Sequence, residues 1–90
     1  MTGYGYKMIV LKDLAALPKR YRARIERLVF DEIPASDNLF RDFDIHRMRG
    51  YENYYRIRTG RYRIGCKITS DDMIIFYRVK SREEIYNVFP

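Results

Sequence analysis

YYRIRTGRYRIG, running from Tyr54 to Gly65, sets two alternating runs of side chains on either side of Gly60-Arg61. A two-residue loop with glycine first is the signature of a type II′ β-hairpin. That turn fixes the register. Thr59 faces Tyr62, Arg58 faces Arg63, Ile57 faces Ile64, Arg56 faces Gly65, and Tyr55 faces Cys66. Successive side chains point to opposite sides of a strand. One side then carries Tyr55, Ile57, Ile64, Cys66 and Ile68, the surface against which helices pack. The other carries Arg56, Arg58, Arg63 and Lys67, with Tyr54 at its edge and Gly65 leaving a gap opposite Arg56. Two arginines facing each other cost about 0.2–1 kcal/mol. An anion between them reverses that cost, because guanidinium groups match phosphate oxygens in pairs. The plainer alternative is a solvated strand face whose arginine stems cover apolar surface.

Working outward, TSDD (69–72) is a second turn and Met73–Val79 a third, apolar strand. Ser81-Arg-Glu-Glu84 has the form of a capping box that starts a short last helix. In such a helix Arg82 and Tyr86 share a side, and Lys80 lies within reach of the arginine face. Upstream, TGYGYK (2–7) reads as a short edge strand weakened by its glycines. Val10, Leu11, Leu14 and Leu17 mark a short helix ended by Pro18. Tyr21, Ile25, Leu28, Val29 and Ile33 recur at helical spacing in an amphipathic helix of about four turns, stopped by Pro34 and ASDN. LFRDFDIHRM (39–48) is ambiguous and opens with a possible helical turn; RGYEN (49–53) is a loop. The order is β, α, α, β, β, β, α. This is an α+β domain: a small antiparallel sheet with an N-terminal helical hairpin packed on one face.

Ninety residues suit one domain with a modest core. The net charge of +6 suggests a polyanionic partner: nucleic acid, an anionic membrane surface or an acidic protein. Cys66 is the only cysteine, so no internal disulfide can form, and it reads as core filler. No stretch approaches the length of a membrane span, and MTGYGYKM lacks the apolar run of a secretion signal. A soluble cytoplasmic protein with no membrane partner is expected.

One cysteine, one histidine and no acidic cluster at ligand spacing predict no metal site. No phosphate-binding glycine loop or nucleophile elbow is present, and no cofactor is expected. His46 has no visible partner and reads as an ordinary surface or loop residue. Metal-free RNA cleavage remains open. There a base takes the 2′-OH proton and cations stabilise the crowded phosphorane. Arginine suits the electrostatic part but not the base. Tyr86, depressed by surrounding arginines, is the first candidate base; Lys67 and Lys80 are weaker ones. Tyrosines among the arginines, Tyr54 included, offer stacking surfaces for nucleobases.

LKDLAALPKR (11–20), RGYENYYRIRTGRYRIG (49–65) and IIFYRVKSREEIY (74–86), in this order, resemble the RelE/ParE toxin superfamily, in its RelE branch. The resemblance spans nearly the whole chain and implies one RelE-like domain over 1–90 with a microbial-RNase-like fold. It implies a type II toxin that enters the ribosomal A site and cuts mRNA there. It also implies an acidic, RelB-like antitoxin that wraps the toxin, in a complex that represses its own operon. Ribosome and mRNA are then direct partners, and operator DNA is met only through the antitoxin complex. Carried over by position, the family's basic pair is Arg56 and Arg58, and the arginine at the scissile phosphate is Arg63. The late arginine is Arg82 and the C-terminal tyrosine Tyr86. Well-studied active members often have lysines at the first two positions, and many have histidine where this chain has Ser81. The alternatives are a non-nuclease toxin of the ParE type, which inhibits gyrase, and a decayed antitoxin-binding module. An unrelated basic RNA-binding domain is the residual reading.

Overall fold

The computed structural model describes residues 3–90. Its centre is the hairpin of β3 (Tyr54–Thr59) and β4 (Tyr62–Ile68) in the expected register, from Thr59↔Tyr62 to Tyr55↔Cys66 and on to Tyr54↔Lys67. Gly60 takes a φ of +60°, the left-handed value that a primed turn requires at its first position. β5 (Met73–Ser81) pairs antiparallel with β4, and β2 (Ile45–Arg47) with β3. β1 (Gly3–Tyr6) joins β5 in parallel, giving a five-stranded sheet of order β1-β5-β4-β3-β2. The sheet is therefore antiparallel except at that one edge. The link from β1 to β5 is long enough for a crossover, as parallel pairing demands.

α1 (Met8–Ala15) buries Val10, Leu14 and Asp13, while Leu11 stands half-exposed on its outer side. The second helical run starts at Pro18, whose missing N–H costs nothing there. It continues as α2 (Lys19–Arg27), a π-helical turn (Leu28–Glu32) and α3 (Ile33–Ala35). Ile25, Val29 and Ile33 recur four apart and are buried. Pro34 does not stop the run; it sits inside α3, just after the widened turn in which Ile33 N–H reaches Leu28 O. A proline ring clashes with the carbonyl four residues back in a regular α-helix, and the π-turn opens that spacing. α4 (Leu39–Asp42) is the helical turn expected in the ambiguous stretch, capped by Asn38, whose side chain accepts from Arg41 N. The strand β2 that follows it was not legible in the sequence.

The main core lies between this helical layer and the sheet, with Ile57, Ile64, Cys66, Ile74, Phe76 and Val79 from the strands. Burial pushes the Cys66 thiol up to about 12. Phe76 and Val79 are three apart, yet both face the core. A bulge allows this: Gly65 pairs with Arg78 and Cys66 with Phe76, leaving Tyr77 as the extra residue. α5 (Ile85–Val88) packs on the opposite side of the sheet, over a smaller cluster of Met48, Ile85 and Phe89 with Tyr54 and Tyr77. No helix among the described residues is long and apolar enough to cross a membrane.

Candidate active site

On the side of the sheet away from α1 and α2, β3 and β4 present Arg56, Arg58 and Arg63. With His46 of β2 and Tyr86 of α5 they line an open cleft of about 180 Å³. Strand pairing sets this arrangement: Arg58 opposes Arg63, and His46 opposes Arg56 on the other flank. Each arginine is held differently. Arg63 Nη1 donates to the carbonyls of Gly60 and Tyr62, both at 2.9 Å, which folds it against the hairpin turn. Arg58 Nε donates to Asp44 Oδ2 at 2.6 Å. The Arg56 guanidinium carbon sits 4.7 Å from the centroid of the Tyr86 ring, a cation–π contact.

The proton affinity of Arg63 is lowered, first by partial burial and then by the charges of Arg58, Arg82 and Arg56, with Tyr86 acting the other way. Arginine stays protonated regardless. Burial strips the Arg63 guanidinium of hydration first, and the neighbouring arginines add repulsion. An anion seated there relieves the repulsion. Asp44 supplies part of the compensation from within: its carboxylate is held below the usual range by hydrogen bonds from Arg58 and then His46. The opposed arginines are thus partly neutralised before any ligand arrives.

Four of the expected residues meet: Arg56, Arg58, Arg63 and Tyr86. The others do not join the cleft lining. Arg82 sits in the turn before α5, not within the helix, and its guanidinium pairs with Glu83 at 3.0 Å in solvent. Its charge still reaches Arg63. The Ser81–Glu84 capping box forms only in half: Glu84 N donates to Ser81 Oγ at 3.3 Å, but the Glu84 carboxylate accepts from the Ser81 hydroxyl at 2.9 Å rather than from a backbone N–H. It closes that turn, and the helix begins only afterwards. Lys80 is drawn to Asp13 at 3.6 Å and borders a second cleft, of similar size, between α1 and β5. That cleft lacks a cluster of arginines, so the chemistry points to the first one. Lys67 rests over the Tyr54 ring, 5.4 Å from its centroid. Tyr54 is no open platform: it packs edge-on against Tyr51, Tyr77 and Phe89 in the small core beneath α5. The gap left by Gly65 is filled as well. A Cβ there would lie 2.7 Å from the Phe89 ring.

Sequence reasoning missed His46 and Asp44. Far from lacking a partner, His46 Nε2 contacts Asp44 Oδ1 at 2.5 Å and borders the cleft. The available signal was the D-x-H spacing at 44–46, which brings both side chains to one side of an extended segment.

Comparison with known proteins identifies the family and the fold. Residues 6–86 match the family described as ParE toxin of type II toxin-antitoxin system, parDE. Toxin RelE3 of Methanocaldococcus jannaschii is 46% identical over 81 residues, covering 89% of this chain and 90% of that protein. The fold superposes on the crystal structure of a RelB-RelE antitoxin-toxin complex from Methanococcus jannaschii. The TM-score is 0.76 at 42% identity, over 94% of this chain and 98% of the other. An archaeal RelE-RelB complex from Pyrococcus horikoshii OT3 matches with a TM-score of 0.67 at 30% identity, over 91% and 97% of the two chains. With the sheet, the arginine hairpin and these relatives in agreement, the chain belongs to the RelE/ParE superfamily of type II toxin–antitoxin toxins.

Proposed function

We propose that this toxin is a ribosome-dependent, metal-independent mRNA endonuclease of the RelE type, acting in the cytoplasm and held inactive by an acidic RelB-like antitoxin. The observation that carries the reading is the convergence of Arg56, Arg58 and Arg63 with Tyr86 in one open cleft. In RNA cleavage the 2′-oxygen attacks the adjacent phosphorus, and charge builds on the non-bridging oxygens. Cations already fixed at that position stabilise the transition state more than the ground state. Arg63, tethered to the turn and short of counter-charge, fits that role. Arg56 and Arg58 orient the strand. Tyr86, exposed and stacked under Arg56, offers a face to a nucleobase. Arg82 can assist the leaving oxygen by releasing Glu83, an exposed pair that costs little to break. The named RelE-RelB complexes among its relatives support an antitoxin partner, and operator DNA is then met through that complex.

A second reading, a non-nuclease toxin of the ParE type, draws on the family description. The arginine cleft favours the nuclease. The test is primer extension on cellular mRNAs after inducing the wild type or Arg63→Ala, with growth followed in parallel. Cuts within translated codons are expected for the wild type, reduced about 10²–10³-fold in the variant. Growth arrest without cuts would select the ParE-type reading. Soluble protein with neither arrest nor cuts would leave an antitoxin-binding module.

A further inference from the structure

The cleft holds three arginines, a tyrosine and a histidine, and the reaction proposed above needs a group that accepts a proton. Arginine cannot serve near neutrality. A phenol gives up its own proton only at high pH, and the Tyr86 ring is covered on one face by Arg56. Lys67 and Lys80 are held elsewhere, over Tyr54 and at Asp13. Imidazole is the side-chain type that exchanges protons in the physiological range, and His46 is the only histidine in the chain.

Its setting is that of an oriented base. The Asp44 carboxylate, held below its usual range by hydrogen bonds from Arg58 and then His46, accepts a hydrogen bond and fixes the ring N–H on Nε2. The lone pair is then on Nδ1. Asp44 Oδ2 meanwhile holds Arg58, so one carboxylate sets both the imidazole and an arginine of the cleft. Cross-strand pairing with Arg56 puts His46 on the cleft side of β2. The groups facing it are Asp44 from the preceding loop, Arg56 and Arg58 from β3, Arg63 from β4 and Tyr86 from α5.

We infer that His46 is the general base of the cleavage reaction, with Asp44 as its positioning residue; this rests on the nuclease reading. Nδ1 takes the proton of the 2′-OH, the O2′–P bond forms and the P–O5′ bond breaks. The 5′-oxygen takes a proton from water, and the imidazolium returns its proton to solvent. The products are a 2′,3′-cyclic phosphate and a 5′-hydroxyl.

The experiment is single-turnover cleavage of mRNA on programmed ribosomes across a pH series, with wild type and His46→Gln, and ribosome binding measured by co-sedimentation. The wild-type rate is expected to fall on the acid side, where a protonated imidazole accepts nothing. His46→Gln is expected to lose that limb and about 10²–10⁴-fold in rate while binding ribosomes normally. As a second measurement without mutation, toxin pretreated with diethyl pyrocarbonate should be silenced, and hydroxylamine should restore it. Cleavage by His46→Gln at the wild-type rate and pH profile would overturn the inference and leave the nuclease reading standing. Loss of ribosome binding by His46→Gln would overturn it in favour of a docking role. Intact mRNA with wild-type toxin would bring down both readings.

Discussion

Gly65 shows how a residue's meaning depends on what lies across from it. In the hairpin alone it opens a gap opposite Arg56; in the molecule that space belongs to the Phe89 ring. Gly65→Ala is therefore expected to destabilise the fold by about 1–3 kcal/mol through overpacking, measured by urea denaturation. Adding Phe89→Ala should remove the steric part of the penalty, so that the two changes are strongly non-additive. The partner of Gly65 sits beyond an entire further strand, and no local pattern in YYRIRTGRYRIG could reveal it. The same limit explains Tyr54, a stacking surface until α5 covers it. It explains His46 too, ordinary until β2 brings it beside Arg56. What was legible was whatever the turn itself dictates: once Gly60 sets the register, Arg56, Arg58 and Arg63 must share a side.

Among the elements, β5 carries the least obvious arrangement. β1 covers its edge only as far as Phe76, where Lys7 N still donates to Phe76 O. Beyond that point α1 takes over through one side chain. The buried Asp13 carboxylate accepts from Val79 N at 2.9 Å and from Arg78 Nε at 2.9 Å, with Lys80 close by. A carboxylate thus replaces a strand partner and satisfies an edge N–H that would otherwise be left buried and unpaired. Asp13→Ala is expected to cost about 3 kcal/mol, the range for breaking a buried ion pair on one side, seen as a lower denaturation midpoint. A fall below about 0.5 kcal/mol would show that α1 holds this edge by apolar packing alone. Helices, hairpin and third strand were legible because their periods are strong. The parallel pairing of β1, the three-residue β2 and the bulge at Tyr77 were not. Each is decided by a distant neighbour rather than by alternation within the element.

At the scale of the molecule, the positive charge divides into a part that is spent internally and a part that is not. Arg78 and Lys80 go to Asp13, Arg41 to Asp37 and Asp42, and Arg22 to Glu26. Among the described residues, Arg56 and Arg63 have no carboxylate partner of this kind in the cleft, and Arg58 shares Asp44 with His46. If these three arginines meet phosphates, each displaces counterions. The affinity for a single-stranded RNA analogue should then fall with salt on a log–log slope of about −2, from roughly −0.7 per contact. Arg56→Ala should flatten the slope by about one contact. An unchanged slope would move the binding surface elsewhere.

The union of β1 with β5 has a consequence in time. Gly3 pairs with Met73, and the bond from Asp13 to Val79 spans 66 positions. Contacts of such separation cannot form until both segments exist, and a chain leaves the ribosome from its N-terminal end. β1 and α1 therefore wait, unpaired, through most of synthesis. The wall of the cleft that bears Tyr86 is made later still. A nascent chain therefore carries the arginines of the hairpin before it carries the cleft they line, and the cleft closes only when the segment bearing Tyr86 has been made.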